Sequence, residues 1–237
     1  IHTAALTNVD ECELDHATCW QQNVTAVANL VSACTAQDIH LTHVSTDFIF
    51  SGEAAPLAEE AVPAPINFYG ESNLAAEQLV QASAGRWAIA RTVLVYGMAH
   101  DYGRTNLVLW VRDSLRAGKA IKVVSDQWRT PTLAEDLAQG CWLLAQQAAR
   151  GIYHISGEEM LTPHAMALRV AAHFGLDAGL IERVDASPFT QPARRPARTG
   201  FLIANARHDL GYRPHPFAES IALVSAQHEP DPSQQHP

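Results

Sequence analysis

The stretch Ala88-Ile89-Ala90-Arg91-Thr92-Val93-Leu94-Val95 constrains the fold more than any other, because it is apolar on both faces. Strands of that kind are covered on both sides, as the central strands of parallel sheets are. Shorter strand-type runs accompany it at 40–45, 121–124 and 151–155, and residues 1–5 read as the end of another buried strand. Segments with helical spacing lie between them. Residues 15–35 place Val24, Ala28, Val31 and Cys34 on one face. A second helix starts near Asn67, with Leu74, Leu79 and Val80 among its apolar positions. Further helices are expected at 106–117, at 133–149 and at 162–174. Glu135 and Asp136 suit the first turn of the 133–149 helix. Pro163 and Gly175 suit the two ends of the 162–174 helix.

This alternation of strands and helices predicts an α/β chain built on a Rossmann-like, doubly wound parallel sheet. Such sheets bind ligands at the carboxyl ends of their strands. With 237 residues the chain suits one large domain plus a small lobe. We divide it into 1–150, a partial cofactor-binding domain, and 151–227, mixed and including a small C-terminal substrate lobe. A tail, 228–237, has nothing to bury and is expected to be disordered.

A net charge of −9 argues against a nucleic-acid partner. No apolar run reaches bilayer-spanning length and no signal peptide opens the chain, so no membrane partner and a cytoplasmic location are expected. The four cysteines form no C-x-x-C pair, and the expectation is free thiols, with Cys34 and Cys141 buried in helices. The twelve histidines show no ligand spacing, so no metal site is expected. Residue 1 is Ile, and residues 1–5 read as a strand already under way, so we expect the sequence to be part of a longer reading frame.

Polar residues gather at three predicted strand or helix ends. Thr3-Ala4-Ala5-Leu6-Thr7 is small enough for a ligand to approach the backbone, although a tight strand–helix turn needs the same residues. Ser45-Thr46-Asp47 ends a buried strand in two hydroxyls and a carboxylate, a composition that also caps turns. Phe68-Tyr69-Gly70-Glu71-Ser72-Asn73 opens a helix after a Pro-rich loop. In short-chain reductases a Tyr and a Lys stand four apart on such a helix, stacked on one face. The ammonium lowers the phenol from its usual pKa of about 10. Here the fourth residue after Tyr69 is Asn73, which carries no charge.

The runs 2–13, 45–52, 65–73, 91–97, 123–132, 151–157 and 195–199 together resemble, in order and spacing, the dTDP-4-dehydrorhamnose reductase family of extended short-chain dehydrogenases/reductases. The resemblance extends to about residue 220. It implies reduction of a 4-keto nucleotide-sugar with NADPH or NADH, a nucleotide-sugar as the partner molecule, and room for a homodimer. It implies that Thr46 binds the keto oxygen and Tyr69 donates the proton, with Asn73 at the lysine position. Ala4, Ala5, Thr7, Tyr69, Asn73 and Leu94 would line the cofactor. Thr46, Asp47, Arg195 and Arg198 would hold the sugar nucleotide.

The family's Gly-rich strand–turn–helix, which grips the pyrophosphate, has no counterpart here, since G-x-G-x-x-G occurs nowhere. The missing sheet strands would leave an apolar edge, and these 237 residues alone are expected to bind nicotinamide cofactor poorly. Two other readings share the fold: a non-catalytic regulatory or binding relative, like the beta subunit of methionine adenosyltransferase, and a nucleotide-sugar epimerase or dehydratase.

Overall fold

The computed structural model describes residues 1–98, 106–186 and 191–228. The helices are α1 (Val9–Leu14), α2 (His16–Trp20), α3 (Ala26–Ala36), α4 (Phe68–Ala82), α5 (Leu107–Arg116), α6 (Ala134–Gln146), α7 (Pro163–Phe174), α8 (Ala204–Leu210) and α9 (Phe217–His228). The strands are β1 (Leu41–Thr46), β2 (Trp87–Thr92), β3 (Val95–Tyr96), β4 (Ile121–Val124), β5 (Thr132–Leu133), β6 (Gly151–His154) and β7 (Ile181–Val184). Every strand pair is parallel: β1-β2-β6 form the main sheet, β3 pairs with β5, and β4 pairs with β7. The chain therefore has the α/β, Rossmann-like architecture expected of it.

The central strand explains the layering. Ile89 packs with Val27, Ala76 and Val80, under α3 and α4. Its neighbours Ala88 and Ala90 face the other way, onto Cys141, Leu144 and Tyr212 beneath α6 and α8. A second core joins α5, α7 and α9 to β4 and β7 through Val108, Leu115, Ile121, Met166 and Ile221. The caps on α7 are as read from the sequence, with Thr162 accepting from the Ala165 amide, Pro163 at the first position and Gly175 left-handed at φ 62°.

Several expectations need correction. Residues 1–5 are not a buried strand: only His2 bridges to His43, while Ile1 is 61% exposed and Thr3, Ala4 and Ala5 are also exposed. Nothing among the described residues covers their outer side. The helix expected over 15–35 is continuous over 16–36, but the spacing did not announce the π-helical turn at Gln21–Thr25 between α2 and α3. The central strand stops at Thr92, because Leu94 takes a positive φ of 38° and re-aims the chain into β3. On α4, Leu79 is exposed and Glu77 is the buried residue. Cys34 is half-buried, whereas Cys12, Cys19 and Cys141 are buried, and all four thiols are free. The expected tail and the loop after Met98 fall largely on 229–237 and 99–105, outside the described residues.

Glu77 is buried because it meets Arg91 of β2. Arg91 Nε and Nη2 donate to its carboxylate at 2.9 and 2.7 Å, and Nη1 donates to the Glu59 carbonyl at 3.2 Å. The guanidinium also lies 5.4 Å from the Phe50 ring centre. Glu59 continues the chain of contacts by accepting the His154 amide of β6 at 3.0 Å.

His43 is buried against His2, ring centroids 5.4 Å apart, and burial pushes its pKa down to about 4. His154 is pushed down to about 3, again mainly by burial.

Two stability predictions follow from these buried charges. Glu77→Ala strands the Arg91 guanidinium and is expected to cost about 3–5 kcal/mol in urea unfolding. His43 and His154 stay neutral when folded but protonate once unfolded. Stability is therefore fully present above the unfolded pKa of about 6.5 and falls progressively as pH drops towards the folded values. Urea midpoints measured at pH 7 and pH 5 should decrease at the lower pH, and His43→Leu should flatten that dependence.

Candidate active site

The carboxyl end of β1 and the first turn of α4 meet in one place. Thr46 is the last residue of β1, and its Oγ1 accepts the Phe48 amide at 3.2 Å, capping a short 3-10 turn at Asp47–Ile49. Helix α4 starts where Asn67 accepts the Gly70 amide at 2.8 Å. Its entry is clamped from two distant segments. Glu13 accepts the Phe68 amide at 3.0 Å, and Asn67 Nδ2 donates to the Arg194 carbonyl at 2.8 Å. Gly70 lets the helix touch the turn, since a Cβ there would sit 2.2 Å from the Phe48 carbonyl oxygen. Tyr69 is thereby held half-buried, its ring edge-on to Phe48 at 5.8 Å.

These residues border a cleft of about 610 Å³, inside the range of about 300–1,000 Å³ usual for ligand pockets. Its lining includes Thr3, Ala5, Thr7, Thr46, Tyr69, Asn73, Leu94 and Asn106. A second hollow of about 210 Å³ adjoins it, sharing Asp47, Phe48 and Leu94 and adding Gln127, Arg129 and Arg195. Leu94, strained at φ 38° and 37% exposed, stands on both. Of the residues anticipated from sequence, Ala4 and Arg198 line neither hollow. Both are exposed.

Burial raises the Tyr69 phenol well above its ordinary value. A hydrogen bond with the Thr46 side chain pulls it back, while Asp47, Cys12 and Cys19 push it further up. Asn73 does not reach towards the phenol: its Nδ2 donates to the Tyr69 carbonyl at 2.8 Å, one turn back on the same helix. Asp47 is 3% exposed, and burial raises its pKa against the pull of Arg129, Thr199 and Thr46. Arg129 itself is largely consumed by carbonyls, donating to Trp128 at 2.8 Å, Ala197 at 3.1 Å and Pro196 at 2.7 Å. Arg195 makes a two-pronged ion pair with Asp10 at 2.8 and 2.9 Å. That pairing holds the Asp10 carboxyl below the usual range.

Sequence reasoning missed Asn23, Asp10, Glu13, Arg129 and Thr199. Asn23 is buried in the π-helical turn and grips the Leu6 peptide from both sides: the Leu6 amide donates to Oδ1 at 2.7 Å, and Nδ2 donates to the Leu6 carbonyl at 3.1 Å. Nδ2 also reaches Ser72 Oγ at 3.1 Å, and Ser72 Oγ donates to the Tyr69 carbonyl at 2.8 Å. The wall at 3–7 is thus tied to the helix that carries Tyr69. Asn23 follows Gln21 and Gln22 in a polar run, so no local signal sets it apart.

The donor set fits the nicotinamide and ribose end of a dinucleotide. Small side chains at Ala5 and Thr7 leave room for a flat ring. Ser45 also lines the cleft, and its buried Oγ has no hydrogen-bond partner among the described residues.

A family model described as the RmlD substrate binding domain matches residues 1–229. The chain is 32% identical over 230 residues to a probable low-salt glycan biosynthesis reductase, Agl14, of Haloferax volcanii, covering 95% of this chain and 76% of that protein. It is 29% identical over 216 residues to methionine adenosyltransferase 2 subunit beta of Pongo abelii, covering 89% of this chain and 64% of that one. Its backbone matches dTDP-4-dehydrorhamnose reductase from Bacillus anthracis, solved in complex with NADP, with a TM-score of 0.88 and 27% identity. That match covers 95% of this chain and 79% of the solved one.

Asn23→Ala leaves the Leu6 amide and carbonyl unpaired, at an expected cost of about 1–3 kcal/mol. Amide hydrogen exchange should accelerate at Leu6 while the β2 amides keep their protection.

Proposed function

The chain belongs to the RmlD substrate binding domain family, and from that premise we propose that it reduces the 4-keto group of a nucleotide-linked deoxysugar with NADPH or NADH. The observation that carries this reading is that Thr46 and Tyr69 line one cleft together with Thr3, Ala5 and Thr7. The nicotinamide, when bound, supplies the hydride. Ala5 and Thr7, with Ala4 beside them, flank it, and Asn73 and Leu94 bound its ribose and ring. The Thr46 hydroxyl polarises the keto oxygen, and Tyr69 donates the proton to it. The second hollow takes the sugar and its diphosphate, with Asp47 at its base, Arg195 on its wall and Arg198 towards solvent. Residues 1–150 then carry the cofactor side, while 151–227 include the substrate lobe.

Asn73 favours a second reading, a binding or regulatory subunit without turnover, because no ammonium stands where it would lower the Tyr69 pKa. No helix among the described residues is long and apolar enough to cross a membrane.

The test is oxidation of NADPH or NADH by the purified chain with a dTDP-linked 4-keto-6-deoxysugar, followed by product identification. Tyr69→Phe should lower kcat by about 10²-fold or more, the usual contribution of a positioned proton donor. Asn73→Lys should raise kcat and move its pH optimum down. Absence of turnover in both the natural chain and the Asn73→Lys variant, with NADPH binding to each shown directly by fluorescence, would favour the binding role.

A further inference from the structure

Arg129 and Arg195 are the cations that line the second hollow. An arginine carries five N–H donors, and those of Arg129 are spent. Its Nη1 donates to the Trp128 and Ala197 carbonyls, and its Nη2 to the Pro196 carbonyl and to Gln127 Oε1. Its Nε faces Asp47 Oδ2 at 3.9 Å. Little of that guanidinium is left for a ligand.

Arg195 differs. Its Nη1 donates to Asp10 Oδ1 and to the Ala193 carbonyl, both at 2.8 Å, and its Nη2 donates to Asp10 Oδ2 at 2.9 Å. Asp10 therefore grips the far end of the guanidinium, across the two Nη groups. The Nε proton and the outer Nη2 proton have no partner among the described residues. In a planar guanidinium those two protons point the same way, as a fork matched to two oxygens of one carboxylate or phosphate. Arg91 holds Glu77 through that same edge, Nε and Nη2.

The grip is itself braced. Asp10 Oδ1 also accepts the Ala193 amide at 3.2 Å, so one carboxylate holds both the backbone and the arginine of this segment. Further along α1, Glu13 accepts the amide of Phe68, the residue before Tyr69. Residues three apart on a helix share a face. One short helix thus sets the span between the Arg195 fork and the phenol.

We propose that Asp10, which lines neither hollow, is a positioning residue for the substrate: it holds Arg195 with its Nε–Nη2 edge turned to the second hollow, where that edge binds the diphosphate of the sugar nucleotide. The proposal rests on the reductase reading and adds a residue to it. A pre-set fork loses little side-chain freedom when the ligand arrives, whereas a free arginine must be ordered at that moment.

This role and a plain electrostatic one differ in sign. If Asp10 only offsets the Arg195 charge, removing its carboxylate strengthens diphosphate binding. If Asp10 aims the fork, removing it weakens binding.

The test is calorimetric titration of the full chain with dTDP and, separately, with thymidine, which lacks the diphosphate. Arg195→Lys keeps the charge and loses the fork, and it should weaken dTDP binding about 10-fold or more. Asp10→Asn, which keeps the residue's size, should weaken it several-fold. Asp10→Glu keeps a carboxylate and should recover part of that loss. Thymidine should not distinguish the variants from the natural chain, and amide NMR spectra unchanged away from α1 and 193–198 show that they fold. Tighter or unchanged dTDP binding by Asp10→Asn would overturn the proposal. So would an equal loss for thymidine, or a natural chain that does not bind dTDP.

In turnover, Asp10→Asn should raise KM for the sugar nucleotide and leave KM for the nicotinamide cofactor in place. Equal rises in both would make the ion pair a structural tie and defeat the positioning role. The expected order of dTDP affinities without any turnover would leave the fork standing and defeat the reductase reading alone.

Discussion

The ion pair between Arg91 and Glu77 is the contact on which the rest of the site's geometry depends. It joins the central strand to helix α4, so it fixes the height of the Tyr69 turn over the sheet. Arg91 spends its remaining donor on the Glu59 carbonyl, and Glu59 in turn holds the amide of His154. One buried guanidinium therefore ties a helix, a strand and the long loop between β1 and α4. A charge pair without solvent is stable only when its lone pairs and protons are matched, and here bidentate geometry supplies that match. Such a pair has one good arrangement, which makes it a fixed reference for the parts that touch ligand.

The cleft built on that frame is unusual in its electrostatics. Reductases of this kind offset the cost of a buried phenol with an ammonium one turn along the helix. Here the corresponding side chain, Asn73, is turned back onto the Tyr69 carbonyl. The charges that remain near Tyr69 are acidic, and the nearest guanidinium is held by carbonyls and by Asp47. Burial disfavours charge on both Tyr69 and Asp47, and Arg129 and Thr199 oppose that effect at Asp47.

Much of the fold was legible because local rules agree with the tertiary structure. The β2 segment, Pro163 at the start of α7 and the Gly175 stop are each set within a few residues. What was not legible depends on partners far away in the chain. Leu79 read as a core residue of α4, yet it is Glu77 that Arg91 draws inward. The strand break at Leu94 has no Gly or Pro to announce it; a positive φ at a leucine costs energy that only the surrounding structure can offset. In the site, Thr46 and Tyr69 were readable through resemblance, since each sits at the end of an element. Asn23, Asp10 and Thr199 were not, because their roles are contacts across 17, 185 and 152 positions.

The separation of 185 positions has a consequence for how the protein is made. The Asp10–Arg195 bridge joins α1 to a segment that leaves the ribosome 185 residues later. Loop closure over such a span carries an entropic cost that local contacts do not. On a ribosome, α1 waits with its carboxylate unpaired while the sheet, the catalytic helix and the second core assemble behind it. The cleft rim is therefore a late acquisition of the growing chain, and its contacts belong with those that open at the lowest free energy in the finished fold. A nascent chain already protected in its sheet would still be open to solvent at the one surface where chemistry is done.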